Sequence, residues 1–74
     1  MTDTAGNRIT IDSEVSGGRP CIRGMRIRVK DILEMLAGGA TRIEILADYP
    51  YLVDEDITAA LDFAGKAVDH PVIV

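Results

Sequence analysis

Apolar residues recur at helical spacing from Val29 onward, and the first such pattern predicts a helix from about Val29 to Ala37. Gly38 and Gly39 follow, and glycine is the residue best able to adopt the left-handed conformation that ends a helix. Met35 lies off the apolar stripe, so we assign it to a contact with a partner. The inward face of this helix should consist of Val29, Ile32, Leu33 and Leu36.

A second, shorter helix is predicted from about Arg42 to Asp48. Thr41 and Glu44 have the spacing of a capping box, in which each side chain accepts a hydrogen bond from the other residue's backbone N–H. The helix should end before Pro50, because proline disfavours the helical conformation in the residue before it. We expect its inward face to be Ile43, Leu46 and Ala47.

The last helix should begin near Val53 or Asp54 and run to about Ala67. Its first turn carries Asp54, Glu55 and Asp56, and carboxylates at that end suit the helix dipole. Ala59 and Phe63 widen the apolar face, and we assign Phe63 to a partner contact. The inward stripe predicted from the spacing is Ile57, Ala60, Leu61, Ala64 and Val68.

The N-terminal part alternates polar and apolar residues and predicts short strands. Arg8 to Asp12 has the period of a half-buried strand, and the run from Pro20 to Ile22 is also extended. Gly17-Gly18 predicts a turn that needs positive φ. A second turn over Arg23-Gly24-Met25, with Gly24 left-handed, would pair the first extended run with Arg26-Ile27 in a hairpin.

These elements predict an α+β fold that is mostly α: short N-terminal β-strands and a hairpin packed on a three-helix, helix-turn-helix-like bundle of homeodomain type. We divide the chain into a disordered N-terminal tail (1–8), a single domain (9–68) and a short extended C-terminal tail (69–74). That tail ends in Val72, Ile73 and Val74, which we expect to contact a partner as an added strand.

Composition favours self-association. The chain has 74 residues, 47% of them apolar, and its single cysteine, Cys21, can form no internal disulfide. We interpret Cys21 as a small buried hydrophobe, and we expect a homodimer because so small a core is marginal alone. No stretch approaches the length of a membrane span and the N-terminus is not a signal peptide, so we expect a cytoplasmic protein with no membrane contact.

The net charge of −4 is unevenly distributed. Residues 1–30 contain six basic and three acidic residues, whereas residues 31–74 contain two basic and nine acidic ones. Any surface that binds phosphate or an acidic partner should therefore lie in the first part. The alternative is a solvated basic face paired with the acidic helices. The candidate binding residues, for a toxin or for DNA phosphate, are Arg19, Arg23, Arg26, Arg28 and Lys30.

Catalysis is not indicated by any motif. His70 has no obvious co-ligand for a metal ion, and neither glycine pair has the spacing of a phosphate-binding loop. We therefore expect that the protein is not an enzyme and that it binds neither a metal ion nor a cofactor. The second and third helices have the order of a helix-turn-helix unit, but the third begins with three carboxylates that DNA phosphates would repel.

Several segments together resemble family 433 of the domains of unknown function, which is commonly grouped with VapB-type antitoxins of bacterial and archaeal toxin–antitoxin pairs. They are Gly17-Gly18-Arg19-Pro20-Cys21-Ile22-Arg23-Gly24, then Arg26-Ile27, Ile32-Leu33-x-x-Leu36-Ala37-x-Gly39, Glu44-Ile45-Leu46-x-x-Tyr49-Pro50-x-Leu52 and Asp56-Ile57-x-x-Ala60-Leu61.

The resemblance implies a type II antitoxin that binds and neutralises a PIN-like ribonuclease toxin and represses its own promoter. The alternative is an orphan dimeric DNA-binding or protein-interaction module without a toxin. This chain has Val53 where family members often have a hydroxyl residue, so we expect a weaker cap on the last helix.

Overall fold

The computed structural model describes residues 3–4 and 8–69, which form three short strands and three helices in the expected α+β arrangement. A single 3-10 turn over Ser16–Gly18 separates the second strand from the third. The elements in chain order are β1 (Asp3–Thr4), β2 (Ile9–Thr10), β3 (Cys21–Ile22), α1 (Val29–Ala37), α2 (Arg42–Asp48) and α3 (Asp54–Ala67).

The strands form one antiparallel sheet in the order β1-β2-β3. Thr4 lies opposite Ile9, and Ile9 lies opposite Ile22. A further bridge pairs Cys21 with Arg28, so the chain leaves the sheet directly into α1. Strands this short are weak alone, and their apolar residues are stabilised by packing against the helices.

The three helices have the bounds predicted from the sequence, because their end signals are local. The Thr41 side chain accepts a hydrogen bond from the Glu44 N–H at 3.1 Å, and the Glu44 carboxylate accepts one from the Thr41 N–H at 2.8 Å. At the end of α1, Gly39 adopts a φ of +100°. The predicted capping box and glycine stop are therefore both confirmed.

The core lies where the sheet meets all three helices. Its largest fully buried apolar side chains are five isoleucines contributed by β2, β3, α1, α2 and α3. Leu33 and Leu36 pack against them, half-buried, as does Leu46. The face predicted for α1 is thus confirmed. The five isoleucines are Ile9, Ile22, Ile32, Ile45 and Ile57.

The inward face predicted for α2 is wrong in two of its three positions. Ile43 is 80% exposed and Ala47 is also exposed, whereas Ile45, which we had not placed inward, is fully buried. A helix of seven residues has apolar side chains on more than one side, so periodicity alone cannot select the side that meets the core.

The stripe predicted for α3 also needs correction. Leu61 is 43% exposed and Val68 is 80% exposed, while Ile57 and Ala60 are buried as predicted. The buried face is turned toward the sheet and α1 and includes Ala59 together with the charged Asp56. A purely apolar pattern leaves out Asp56, and the predicted stripe therefore extends to Leu61 and Val68 on the exposed side.

The expected tails lie largely beyond the described residues. Asp3 and Thr4 form β1 within the segment that we expected to be disordered. The C-terminal partner contacts predicted at Val72, Ile73 and Val74 fall outside the described residues. Among the helices that the structure describes, none is long and apolar enough to cross a membrane.

Candidate functional site

The candidate site is built on the β-hairpin that carries Arg23, Arg26 and Arg28, three of the six arginines of the chain. The Ile22 N–H donates to the Ile27 carbonyl at 3.0 Å, and the Met25 N–H donates to the Ile22 carbonyl at 2.8 Å. Arg23 and Gly24 both have positive φ, 46° and 74°. Two consecutive residues of this kind are typical of a type I′ turn, the tight turn that fits the twist of paired strands. The predicted hairpin and its left-handed glycine are confirmed.

The hairpin loop is fixed to the neighbouring strand as well. The Arg23 N–H donates to the Arg8 carbonyl at 2.8 Å, and the Gly24 N–H donates to the Thr10 hydroxyl at 2.8 Å. The loop therefore has a defined position relative to the sheet, and so do the side chains that project from it.

Asp56 holds the hairpin against α3 through a buried ion cluster. The Arg23 guanidinium donates from Nε to Asp56 Oδ1 at 3.1 Å and from Nη2 to Oδ2 at 2.8 Å. Arg8 Nη1 donates to the same Oδ1 at 2.9 Å. The Val53 N–H donates to Oδ2 at 3.0 Å. The carboxylate is completely buried, and both of its oxygens are hydrogen-bonded.

This arrangement changes the acidity of Asp56. Burial raises the pKa of a carboxyl group, but here hydrogen bonds from Arg23, the Val53 N–H and Arg8, together with the positive charge of Arg23, hold the pKa of Asp56 below its usual range. The same contact with Asp56 raises the pKa of Arg23. Asp56 is therefore a charged anchor for two arginines at neutral pH.

The acidic first turn of α3 is largely neutralised by these contacts. Arg42 Nε donates to Asp54 Oδ1 at 2.7 Å, and this pair lowers the pKa of Asp54. With Asp56 bound by Arg8 and Arg23, Glu55 is the carboxylate of this turn for which the described residues provide no basic partner. The charge of the three carboxylates, which we expected to repel DNA phosphates, is therefore partly offset by basic residues of other elements.

Asp56 also supplies the cap that Val53 lacks. The Val53 side chain makes no capping hydrogen bond, as expected, but its backbone N–H is satisfied by the Asp56 carboxylate three residues later. One side chain thus caps the helix and anchors the hairpin.

The structure divides the five predicted binding residues into two groups. Three of them pair with carboxylates: Arg23 with Asp56, Arg28 with Asp31 at 3.2 Å, and Lys30 with Glu34. Arg19 and Arg26 are exposed, and in the described part of the chain no acidic side chain pairs with either. The alternative of a basic face paired with acidic residues thus holds for three of the five.

Arg19 and Arg26 lie on two segments that touch. The Ser16 hydroxyl donates to the Arg26 carbonyl at 3.5 Å, which places the loop before Arg19 against the far side of the hairpin loop. We call Arg19, Arg26 and the partly exposed guanidinium of Arg23 the arginine surface. The hairpin that carries Arg23 and Arg26 is held in place by the hydrogen bond from Gly24 to β2 and by the ion pair between Arg23 and Asp56 of α3.

The two helix residues that we predicted to contact a partner lie outside the arginine surface. Met35 and Phe63 are half-buried and pack against the core, Met35 from α1 and Phe63 from α3. Cys21 is buried, as expected, and its thiol donates to the Arg19 carbonyl at 3.3 Å. Within the described ranges, no three His, Cys, Asp or Glu residues are placed to hold a metal ion together.

Sequence reasoning missed Asp56, Arg8 and Arg42. A signal for Asp56 was present, since Asp56, Ala60 and Phe63 have the i, i+4, i+7 spacing of one helical face. A buried carboxylate on such a face needs a cation to pair with it, and Arg8 and Arg23 border the strands that pack there.

Comparison with known proteins identifies the family of this chain. A family model described as a protein of unknown function (DUF433) matches residues 9–64. The chain is also 38% identical to a DUF433 member protein from Anabaena variabilis of known crystal structure, with a TM-score of 0.78. That similarity covers 81% of this chain but only 59% of the relative. A search among curated proteins found no match. The chain therefore belongs to the DUF433 family.

Proposed function

We propose that this protein is the antitoxin of a type II toxin–antitoxin pair, and that the arginine surface binds an acidic PIN-like ribonuclease. The observation that carries the proposal is the distribution of ion pairs. Of the eight Lys and Arg residues, six pair with a carboxylate of the described chain. Of the two that do not, Arg19 precedes the hairpin and Arg26 lies within it. Because no acid of the described residues pairs with them in a chain of net charge −4, these two cations are available for a second molecule.

Guanidinium groups suit the partner that the family resemblance implies. An arginine presents two parallel N–H donors and can bridge clustered carboxylates that would otherwise hold a metal ion. Such carboxylates are expected in a PIN-like nuclease, so an arginine inserted among them would displace the metal and block hydrolysis. The fixed hairpin reduces the entropy lost when these side chains bind.

Inhibition of the nuclease tests this proposal. The experiment pairs the purified protein with a PIN-like ribonuclease encoded beside it and measures cleavage of a model RNA. Replacing Arg26 or Arg19 with Ala should weaken inhibition about 10- to 100-fold, the effect of losing a charge-assisted contact worth about 1.5–3 kcal/mol. Lys66→Ala is the matched control, because Lys66 is also exposed but pairs with Asp62 on α3.

The proposal fails if wild-type protein neither binds nor inhibits that nuclease. It also fails in its assignment of the site if Arg26→Ala, Arg19→Ala and Lys66→Ala all inhibit like the wild type. Circular dichroism of each variant, recorded beforehand, excludes loss of folding as the cause of weakened inhibition.

A second candidate is the orphan DNA-binding module, which one observation favours. Arg42 and the pair Arg8 and Arg23 offset the carboxylates at the start of α3, so phosphate repulsion at this end of a helix-turn-helix-like pair is smaller than the sequence suggests. If Arg26 contacts phosphate, the log–log slope of operator affinity against salt should be about −0.9 per phosphate neutralised, and Arg26→Ala should reduce it by about one unit. Affinity independent of salt and of Arg26 argues against this candidate.

A further inference from the structure

A second surface of the protein combines an apolar floor with a basic rim. Between the loop before β3, α1 and the end of α3 lies a groove of about 390 Å³. Its floor includes Leu33, Phe63 and Val68. Its rim carries Arg19, which pairs with no acidic side chain of the described residues, together with Arg28 and Lys30, which pair with Asp31 and Glu34 of α1. Among the described residues that line it there is no carboxylate. An occupant should therefore combine apolar side chains with negative charge.

The adjoining side of the same helix end has that chemistry. Leu61 and Val68 are exposed there, 43% and 80%, although both are large and apolar. Asp62 and Asp69 lie beside them, and Gly65 between them leaves open space above the helix. We call this surface, with Lys66, the outer face of α3. Asp62 pairs with Lys66 on this face, and Asp69 is the acid there that has no basic partner among the described residues, as Arg19 is the unpaired base of the groove.

We propose that two copies of this chain associate by placing the outer face of α3 of each copy in the basic groove of the other. The two surfaces meet at Val68, which lines both. A two-fold axis running alongside α3 would bring the groove side of one copy against the outer side of its partner, and the reverse contact would form by symmetry. Each apolar patch would then be covered and each rim would face the opposite charge.

The proposal assigns different roles to the two residues that the sequence suggested for a partner contact. Phe63 lies in the floor of the groove and would be covered by the second copy. Met35 instead borders a separate depression with Tyr49 and Asp31, away from this interface. Residues 70–74 are a weaker candidate for the groove, because they contain no Asp or Glu to match its rim.

Sedimentation equilibrium of the whole chain tests the apolar part of the interface. Over about 1–100 µM, the wild type should shift toward twice its mass of 8.0 kDa. Val68→Asp should raise the dissociation constant about 10-fold or more, because a charge would enter an apolar contact. Ile43→Asp is the matched control: Ile43 is also 80% exposed but lies on α2, and it should leave association unchanged.

A charge exchange tests the pairing of rim and outer face. Lys30→Glu and Asp62→Lys should each weaken association about 3-fold, whereas the double variant should regain most of the lost affinity. Arg26→Glu is the control for Lys30→Glu, since it reverses an exposed charge outside the groove. This assay contains no nuclease or DNA, so its outcome is independent of the proposed antitoxin function.

Three results would overturn the proposed interface. The first is a wild-type chain that remains monomeric over the whole range. If a chain shortened to end at Asp69 then dimerises, residues 70–74 of the same copy cover the groove. The second is an equal effect of Val68→Asp and Ile43→Asp. The third is a double charge variant no better than the weaker single variant.

Discussion

Arg23 and Asp56 are 33 positions apart and form a bidentate ion pair, with Nε–Oδ1 and Nη2–Oδ2 distances of 3.1 and 2.8 Å. Arg23 is in the hairpin turn with a φ of +46°, a conformation that few residues other than glycine adopt. Asp56 is in the first turn of α3 and is completely buried. The pair therefore connects the sheet to the last helix and fixes the surface that carries the exposed arginines.

Replacing Asp56 with Asn should destabilise the protein strongly. The change removes the negative charge that both Arg8 and Arg23 contact, and breaking a buried pair costs about 3–5 kcal/mol. We expect about 3 kcal/mol, because the two arginine side chains are 34% and 38% exposed and regain water. Urea unfolding followed by circular dichroism measures the free energy of unfolding.

Asp54→Asn is the matched control, two residues earlier in the same helical turn. Asp54 also pairs with an arginine, Arg42, but the pair is on the surface, where solvent screens the charges, so we expect a much smaller loss of stability. Equal losses in the two variants would contradict the anchoring role of Asp56. If Asp56→Asn does not fold at all, Arg8→Gln removes one of the two contacts and gives a measurable intermediate.

The free energy of unfolding should decrease as the pH is lowered below about 4. The pKa of Asp56 in the folded protein is lower than its unfolded value of about 3.9, so its contribution is fully present above that value and is lost as pH falls toward the folded pKa. Arg8→Gln should raise the folded pKa of Asp56 and reduce this loss. Free energies of unfolding between about pH 7 and pH 2.5 provide the measurement, and a profile unchanged by Arg8→Gln would contradict the prediction.

Two neighbouring isoleucines of α2 should differ sharply in their effect. Ile45→Ala removes a fully buried side chain and should cost about 2–5 kcal/mol, the range for large-to-small changes in a core. Ile43→Ala changes a side chain that is 80% exposed and should remain within about 0.5 kcal/mol of the wild type. Chemical denaturation of both variants compares them directly. The reverse order would show that α2 is rotated.

The two glycines after α1 should respond differently to alanine. Gly39 has a φ of +100°, and forcing an alanine into a left-handed conformation costs about 1–2 kcal/mol. Gly38 has a φ of −80°, and a Cβ there would meet the Glu34 carbonyl oxygen at 3.4 Å. We therefore expect Gly38→Ala to be close to neutral. Thermal melts of the two variants test the difference, and a larger loss at Gly38 would contradict it.

The sequence alone determined the elements and their ends. The signals for these lie within a few residues of the boundary they set: the capping box of Thr41 and Glu44, the glycines after Ala37, and Gly24 in the hairpin turn. Short-range backbone preferences and hydrogen bonds decide such features, so they can be predicted without knowing what the element packs against.

The tertiary structure decided which side of each helix is buried and which charges are paired. Ile45 rather than Ile43 faces the core, and Leu61 and Val68 face outward, because packing against the sheet sets the rotation of α2 and α3. Asp56 is buried because Arg8 and Arg23 meet it from other elements. These contacts join residues far apart in the chain, so a local pattern can mark Asp56 as inward-facing but cannot identify Arg8 and Arg23 as its partners.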